Sequence, residues 1–156
     1  MTNADIDRLA SRVSDLAHDR GWRLGCAESL TSGAIASALG RADDSSTWFR
    51  GGIVAYSPYA KVALLGVTPG PVVTESCARE MAIGSRRLLG ADATVAVTGV
   101  GGPEDSEGNP PGTVMIAVDS VRGTDVSTWR FTGEPSEIVA ETTREALLAL
   151  IRVLAA

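Results

Sequence analysis

Two short segments carry the side chains with which this sequence could do chemistry. A hydroxyl-rich turn, Glu28–Gly33, follows a short apolar run, and the segment Tyr56–Lys61 lies further along the chain. Ser29 in the first segment is a candidate nucleophile, and Lys61 or Tyr56 in the second is a candidate base. The chain has 1 histidine, which lies outside both segments. A serine nucleophile here would therefore need lysine, tyrosine or a carboxylate for its activation.

A third segment, Thr98–Pro103, opens a long polar loop that runs to Gly112. Loops of this length in a compact domain are usually functional or mobile. The segment is not a dinucleotide fingerprint, because Glu104 stands where the third glycine of Gly-x-Gly-x-x-Gly would fall. It could surround a small polar ligand, or it could be an ordinary tight turn. We interpret three carboxylates of the loop as solvated charges: Glu104, Asp105 and Glu107.

The composition indicates one globular domain, residues 1–156, with 44% hydrophobic and 21% charged residues. The formal net charge is −5 and the basic residues are scattered, so the sequence offers no cationic stripe for nucleic acid. No apolar stretch approaches the ~20 residues that span a bilayer, and the polar start lacks the features of a signal peptide. We expect a cytoplasmic protein without nucleic-acid or membrane partners.

The chain has 2 cysteines, Cys26 and Cys77, and their wide separation disfavours a disulfide scaffold or a zinc site. We expect both thiols to pack in the core. His18 falls off the apolar face of the first predicted helix and is expected to be exposed. The sequence therefore predicts no metal site and no cofactor.

The hydrophobic spacing predicts helices that alternate with strands. Helices are predicted to begin at the caps Asn3, Ser57 and Thr74, at Pro135, and over Thr31–Leu39. Gly21, Gly66 and Gly90 are the expected stops. Strands are predicted over Trp22–Ala27, Gly52–Tyr56 and Ala93–Thr98, with a hairpin of Thr113–Val118 and Val126–Thr132.

This order of elements predicts an α/β fold, a three-layer α/β/α domain with a mixed, mainly parallel sheet whose last pair forms an antiparallel edge. In such sheets ligands bind at the carboxyl ends of the parallel strands. Each of the three segments described above directly follows a predicted parallel strand. We therefore expect them to share one crevice.

Each candidate catalytic residue also has a purely structural interpretation. Ser29 could be the N-cap of the helix that follows it, although Thr31 or Ser32 could serve as that cap instead. Lys61 could be a solvated surface residue, and Tyr56 could be a packing residue whose hydroxyl reaches water. If Lys61 faces the crevice, however, desolvation would lower its pKa toward the range of a general base.

The combined segments resemble the nicotinamide-nucleotide amidase family, also known as the C-terminal domain of competence/damage-inducible proteins. The resemblance covers nearly the whole chain. It rests on four motifs: Ala27-Glu28-Ser29-x-Thr31-x-Gly33, Ser45-Ser46-x-Trp48-Phe49-x-x-Gly52, Tyr56-Ser57-x-x-Ala60-Lys61, and Thr98-Gly99-x-x-Gly102-Pro103 with Pro111-Gly112-Thr113-Val114. It implies metal-independent hydrolysis of nicotinamide mononucleotide to nicotinate mononucleotide and ammonia, in pyridine nucleotide recycling.

The resemblance also implies a catalytic group of Ser29, Tyr56 and Lys61. Leu30 stands where the family usually has cysteine, which favours Ser29 as nucleophile, and Ser32 and Pro58 replace the usual glycine and asparagine. We expect the oxyanion donors near Ser32-Gly33 or Gly101-Gly102, and the substrate phosphate against a helix N-terminus with Thr31 or Ser46. The expected substrate-binding residues are Glu28, Thr31, Ser32, Gly33, Ser46, Thr98, Gly99, Gly101 and Gly102.

Two other functions remain possible at the level of sequence. One is a nucleotide-binding regulatory module that keeps the pocket without turnover. The other is a cysteine amidohydrolase using Cys26, which is disfavoured because Cys26 lies in an apolar strand with no histidine nearby. The resemblance further implies a homodimer or a larger homo-oligomer.

Overall fold

The computed structural model describes residues 2–156. Within that range the chain forms six helices and five strands. The helices are α1 (Asn3–Arg20), α2 (Ala34–Arg41), α3 (Ser45–Trp48), α4 (Pro58–Leu65), α5 (Glu75–Leu89) and α6 (Pro135–Ala155). The strands are β1 (Leu24–Glu28), β2 (Phe49–Val54), β3 (Ala93–Gly99), β4 (Thr113–Ser120) and β5 (Gly123–Arg130).

The five strands form one mixed sheet in the order β2-β1-β3-β4-β5. β1 pairs in parallel with both β2 and β3, whereas β4 is antiparallel to β3 and to β5. Four strands therefore run in one direction and β4 runs against them. The predicted fold class is confirmed, including the antiparallel hairpin at one edge.

Helices cover both faces of the sheet and enclose two apolar cores. α1, α2 and α6 pack on one face, where residues such as Val13, Ile35 and Leu147 are buried. α4 and α5 pack on the other face, where Leu65 and Met81 are buried. Because each face is covered, β1, β3 and β4 are buried along almost their whole length. The rigid sheet then serves as the platform for the site.

Several predicted boundaries require correction. Thr2, not Asn3, is the N-cap of α1, because its hydroxyl accepts from the Asp5 amide and the Asp5 carboxylate accepts from the Thr2 amide. α2 begins at Ala34 rather than Thr31, with Gly33 at its N-cap position. The short helix α3 was not predicted. The caps Ser57 and Thr74 and the stops at three glycines, by contrast, are confirmed.

Strand register brings the three predicted site segments together at the carboxyl ends of the parallel strands. Glu28 at the end of β1 lies opposite Val54 at the end of β2, and Ala27 lies opposite Ala96 of β3. Ser29, the Ala55–Ser57 turn and the loop after Gly99 therefore leave the sheet side by side. α3 directly precedes β2 and so lies at the other end of the strands, where the parallel strands begin.

Candidate active site

Ser29 and Lys61 form a direct hydrogen-bonded pair. The Lys61 Nζ donates to the Ser29 Oγ at 2.8 Å, across 32 residues of sequence. Ser29 is buried and Lys61 is only 1% exposed. Lys61 is therefore not the solvated surface residue of the alternative interpretation, and the first turn of α4 places it within reach of the candidate nucleophile.

Two main-chain carbonyls complete the surroundings of the Lys61 amine. Nζ donates to the Ala55 oxygen at 3.0 Å and to the Tyr56 oxygen at 2.9 Å. The three contacts together use all three N–H donors of the protonated amine. After loss of one proton the two carbonyls can keep the two remaining donors, and the lone pair then faces the Ser29 Oγ. The arrangement suits a base that removes the hydroxyl proton.

Burial lowers the pKa of Lys61 below its ordinary value, while Cys77 and the Glu107 carboxylate act in the opposite direction. Within residues 2–156 Lys61 makes no ion pair, so no contacting carboxylate holds the proton on the amine. A lower pKa increases the fraction of neutral amine near physiological pH. Both the contact with Ser29 and the lowered pKa of Lys61 favour the prediction that it acts as a general base.

Helix α4 explains how the sequence places this lysine. The Ser57 hydroxyl accepts from the Ala60 amide, and Pro58 occupies the first turn. Side chains of an α-helix point back toward its N-terminus. Lys61, one turn into α4, is therefore directed at the carbonyls of Ala55 and Tyr56, which directly precede the helix.

Tyr56 contributes its backbone rather than its ring to this pair. Its carbonyl accepts from Lys61 and, at 3.4 Å, from the Ser29 Oγ. The side chain is 67% exposed, and its hydroxyl has no hydrogen-bond partner among residues 2–156. The structure therefore does not bring the phenol into contact with Ser29 or Lys61.

Glu28 was expected to bind substrate, but its carboxylate is fully engaged within the protein. It is 0% exposed and accepts from the Thr31 hydroxyl at 2.6 Å and from the Ile35 and Ala36 amides, each at 2.9 Å. These amides belong to the first turn of α2, whose unpaired N–H groups favour an anion. Glu28 is thus an internal cap of α2, and the hydroxyl of Thr31 is committed to it.

This cap overturns the expected phosphate position at the N-terminus of α2, since the amides that would hold a phosphate already hold Glu28. Ser46 lies in α3, ahead of β2, at the end of the strands opposite Ser29. Its substrate contact stays a prediction. The interpretation of Ser29 as a helix cap is wrong as well, because the N-cap position of α2 belongs to Gly33.

Main-chain amides next to Ser29 offer candidate oxyanion donors. The turn is held by bonds from the Ser32 amide to the Ser29 carbonyl and from the Ala34 amide to the Thr31 carbonyl. Within residues 2–156 the amides of Leu30, Thr31 and Gly33 have no such partner. Ser32 has a φ of 50° and Gly33 a φ of 105°, both in the left-handed region. The backbone reverses here and leaves these N–H groups beside the nucleophile.

The glycine-rich segment after β3 closes against the same turn. The position of a Cβ on Gly101 would lie 3.6 Å from Leu30 Cβ, so Gly101 packs next to the nucleophile segment. Gly102 has a φ of 80° and lies beside Pro111. The Thr98 hydroxyl donates to the Val72 carbonyl at 2.8 Å, and Gly99 packs tightly on β4. Both residues thus make internal contacts at the end of β3, and their contact with substrate stays a prediction.

Neither cysteine supports thiol catalysis. Cys26 is 0% exposed, and burial together with the neighbouring Glu28 raises its pKa well above the ordinary value. Burial raises the pKa of Cys77 to about 11, although the Lys61 charge opposes this rise. Both thiols lie in the core as expected, and burial with a raised pKa disfavours the cysteine amidohydrolase, because a reactive thiol needs exposure and a lowered pKa.

One site-related residue was missed by sequence reasoning. Glu107 was interpreted as a solvated charge, but its carboxylate accepts from the Val72 and Val73 amides. Nothing in the local sequence separates it from Glu104, since only the folded chain shows which carboxylate meets the segment before α5. A cavity of about 590 Å³ lies elsewhere, between the start of β5 and the end of α6, and its lining includes neither Ser29 nor Lys61.

Comparison with known proteins identifies relatives of this chain. The CinA C-terminal domain model matches residues 6–154. The chain is 35% identical over 158 residues to a nicotinamide-nucleotide amidohydrolase PncC of Shigella flexneri, covering 96% of this chain and 95% of that protein. It is 39% identical over 157 residues to a CinA-like protein of Mycolicibacterium paratuberculosis, covering 92% of this chain but 36% of the relative.

Most of the curated relatives are much longer, and the chain spans between 30% and 38% of their length. Solved structures agree with the fold. A CinA superfamily protein of Klebsiella pneumoniae superposes with a TM-score of 0.92 at 37% identity, over 96% of this chain and 98% of that one. One from Escherichia coli gives 0.93 at 34% identity, over 98% and 93%. The chain therefore belongs to the CinA C-terminal domain family.

Proposed function

We propose that this protein is an amidohydrolase that converts nicotinamide mononucleotide to nicotinate mononucleotide and ammonia through a serine nucleophile. The observation that carries the proposal is the 2.8 Å contact between the Ser29 Oγ and the Nζ of a buried lysine. The name of the Shigella relative, a nicotinamide-nucleotide amidohydrolase, supports the choice of substrate.

The first half-reaction is acylation of Ser29. The Oγ attacks the carboxamide carbon while Lys61 Nζ accepts the hydroxyl proton, and the developing oxyanion is stabilised by amides of the Leu30–Gly33 turn or by those of Gly101 and Gly102. The carbon–nitrogen bond then breaks as the Lys61 ammonium returns that proton to the leaving nitrogen, which departs as ammonia.

The second half-reaction is hydrolysis of the acyl-enzyme. Water attacks the ester carbon, and Lys61 accepts its proton. The bond to the Ser29 Oγ breaks, and the ammonium returns the proton to that oxygen. Nicotinate mononucleotide leaves with its carboxyl group, and the pair regains its starting state.

Release of ammonia from nicotinamide mononucleotide by the purified protein tests the reaction. We expect turnover that is unchanged by EDTA, because residues 2–156 contain no group of His, Cys, Asp and Glu side chains that could hold a metal. Loss of activity with EDTA and its recovery with zinc would contradict the serine mechanism. Binding without ammonia release would instead favour the regulatory module.

Within the part of the chain that the structure describes, no helix is long and apolar enough to cross a membrane. The cytoplasmic location, the role in pyridine nucleotide recycling and the homo-oligomeric state stay predictions.

A further inference from the structure

Glu107 lies at the tip of the long loop between β3 and β4 and has no part in the chemical steps above. In the turn that carries it, Ser106 and Asn109 exchange backbone hydrogen bonds of 3.0 and 2.9 Å. Glu107 has a φ of 52°, in the left-handed region that side chains with a Cβ adopt at a cost in free energy. The turn thereby holds the residue in a defined direction.

The carboxylate of Glu107 binds two consecutive amides of a distant segment. The Val72 amide donates to Oε2 at 2.9 Å, and the Val73 amide donates to Oε1 at 2.8 Å. Hydrogen bonds to an ionised carboxylate are stronger than neutral ones. They tie the long loop to residues 66–73, the connection that joins α4 to α5.

That connection is also bonded to Lys61 and to the sheet. The Val67 amide donates to the Lys61 carbonyl at 3.3 Å, and the Val72 carbonyl accepts from the Thr98 hydroxyl at 2.8 Å. Residues 66–73 therefore bridge the C-terminal end of α4 and the end of β3. A shift of this connection would be transmitted to the helix that carries Lys61.

We propose that Glu107 is a positioning residue of the active site, which fixes residues 66–73 and thereby holds Lys61 against Ser29. The inference rests on the proposed function, because it assumes that the pair performs catalysis. The charged and titratable groups that act on Lys61 are Cys77 from α5 and Glu107 from the loop. Glu107 thus acts on the base both through its placement and through its charge.

The test compares Glu107→Gln with Glu104→Gln, which removes the same charge from an exposed neighbour that makes no hydrogen bond among residues 2–156. The probe is phenylmethylsulfonyl fluoride, which labels an activated serine, and its rate of reaction with Ser29 is measured against pH by mass spectrometry. Thermal unfolding and ammonia release from nicotinamide mononucleotide are measured in parallel.

We expect Glu107→Gln to lower the limiting labelling rate and kcat by about 10-fold, since small displacements of catalytic groups have effects of this order. Because the Glu107 charge raises the pKa of Lys61, its removal should shift the midpoint of the pH profile to lower pH. Glu104→Gln should retain the rate and the midpoint of the wild type.

Three results would overturn the inference. The first is a Glu107→Gln profile with the limiting rate and midpoint of the wild type. The second is a lower melting temperature with an unchanged midpoint, which would make Glu107 a purely structural clamp. The third is an equal midpoint shift in Glu104→Gln. If Ser29 of the wild type is not labelled at all, the proposed function falls together with the inference.

Discussion

At the scale of single residues, Lys61 is buried and makes no ion pair among residues 2–156. A surface lysine near pKa ~10.4 is almost wholly protonated at neutral pH and cannot accept a proton. Here burial lowers the pKa of Lys61. Two carbonyl oxygens accept hydrogen bonds from Nζ and carry no full negative charge. These contacts orient the amine while leaving its ionisation sensitive to the surroundings.

Replacing Ser29 with alanine removes the nucleophile, and we expect kcat to fall by at least ~10³-fold. The fold should be retained, because Ser29 caps no helix and Lys61 keeps its two carbonyl partners. Thermal unfolding and single-turnover assays on the same sample check both statements. Retained turnover with a loss of about 1 kcal/mol of stability, as for a removed cap, would refute the assignment.

Replacing Lys61 with arginine keeps the positive charge but removes the base, because a guanidinium is not deprotonated at accessible pH. We expect a loss in kcat of the order seen for Ser29→Ala. In the wild type kcat/KM should rise with pH as the amine loses its proton, with a midpoint below the ordinary lysine pKa of 10.5. Measuring kcat and kcat/KM against pH for the wild type and for Lys61→Arg checks both expectations.

Tyr56→Phe provides the matched comparison for Lys61→Arg. Since the Tyr56 carbonyl, not its hydroxyl, contacts the pair, we expect the phenylalanine variant to lose less than ~10-fold in kcat, well below the ~10³-fold of a removed catalytic group. If its loss instead equals that of Lys61→Arg, the phenol takes part in proton transfer.

At the scale of elements, the link between β1 and α2 positions the nucleophile. Glu28 ends the strand and caps the helix, while Ser29 directly follows it. The turn that bears the nucleophile is therefore fixed at one end by the sheet and at the other by the helix. A change at the buried Glu28 carboxylate should therefore alter the position of Ser29.

Glu28→Gln tests this link. The new amide would present an N–H group to the Ile35 or Ala36 amide, so one buried donor would lose its acceptor at a cost of about 1–3 kcal/mol. We expect a lower free energy of unfolding in urea together with reduced kcat. Glu104→Gln, which removes a charge from the exposed loop, should change neither quantity, and wild-type kcat in Glu28→Gln would show that the cap does not position Ser29.

Much of the fold could be predicted because its signals are local. Ser57, Pro58 and Gly66 predicted the bounds of α4 from capping preferences alone, and the structure has them. The start of α2 was mispredicted because its capping carboxylate, Glu28, comes from the preceding strand and lies seven residues before Ile35. Local preference cannot show a cap of that kind.

The site was only partly predictable for the same reason. The convergence of three segments followed from the rule that ligands bind at strand ends, which brought Ser29 and Lys61 together. The interpretation of Glu107 as a solvated charge was wrong because its hydrogen bonds depend on one distant contact, and the position of Ser46 likewise depends on the sheet register. Adjacent residue types do not determine either property.

At the scale of the whole molecule, the sheet separates Lys61 from the larger apolar core. Lys61 lies on the face covered by α4 and α5, whereas the larger core is on the face covered by α1, α2 and α6. The Ser29 turn joins the two sides, because it leads from β1 into α2.

Leu147→Ala provides a test of that separation. Leu147 is 0% exposed in the core under α6, so its truncation should lower the free energy of unfolding by about 2–5 kcal/mol. Below the unfolding transition we expect kcat within about 2-fold of the wild type, because Leu147 packs on the face of the sheet opposite Lys61. Urea titration and steady-state assays measure the two effects, and a large loss of kcat in the folded variant would contradict the separation.

The two carbonyls that hold Lys61 make the base tolerant of point mutation. Ala55 and Tyr56 supply these acceptors from the main chain, and every amino acid carries the same carbonyl group. A substitution of Tyr56, whose side chain is exposed, can alter the protein surface beside Ser29 without deleting an acceptor, whereas Ala55 is buried in the core. Substrate preference could therefore drift at the exposed Tyr56 position while proton transfer is inherited unchanged.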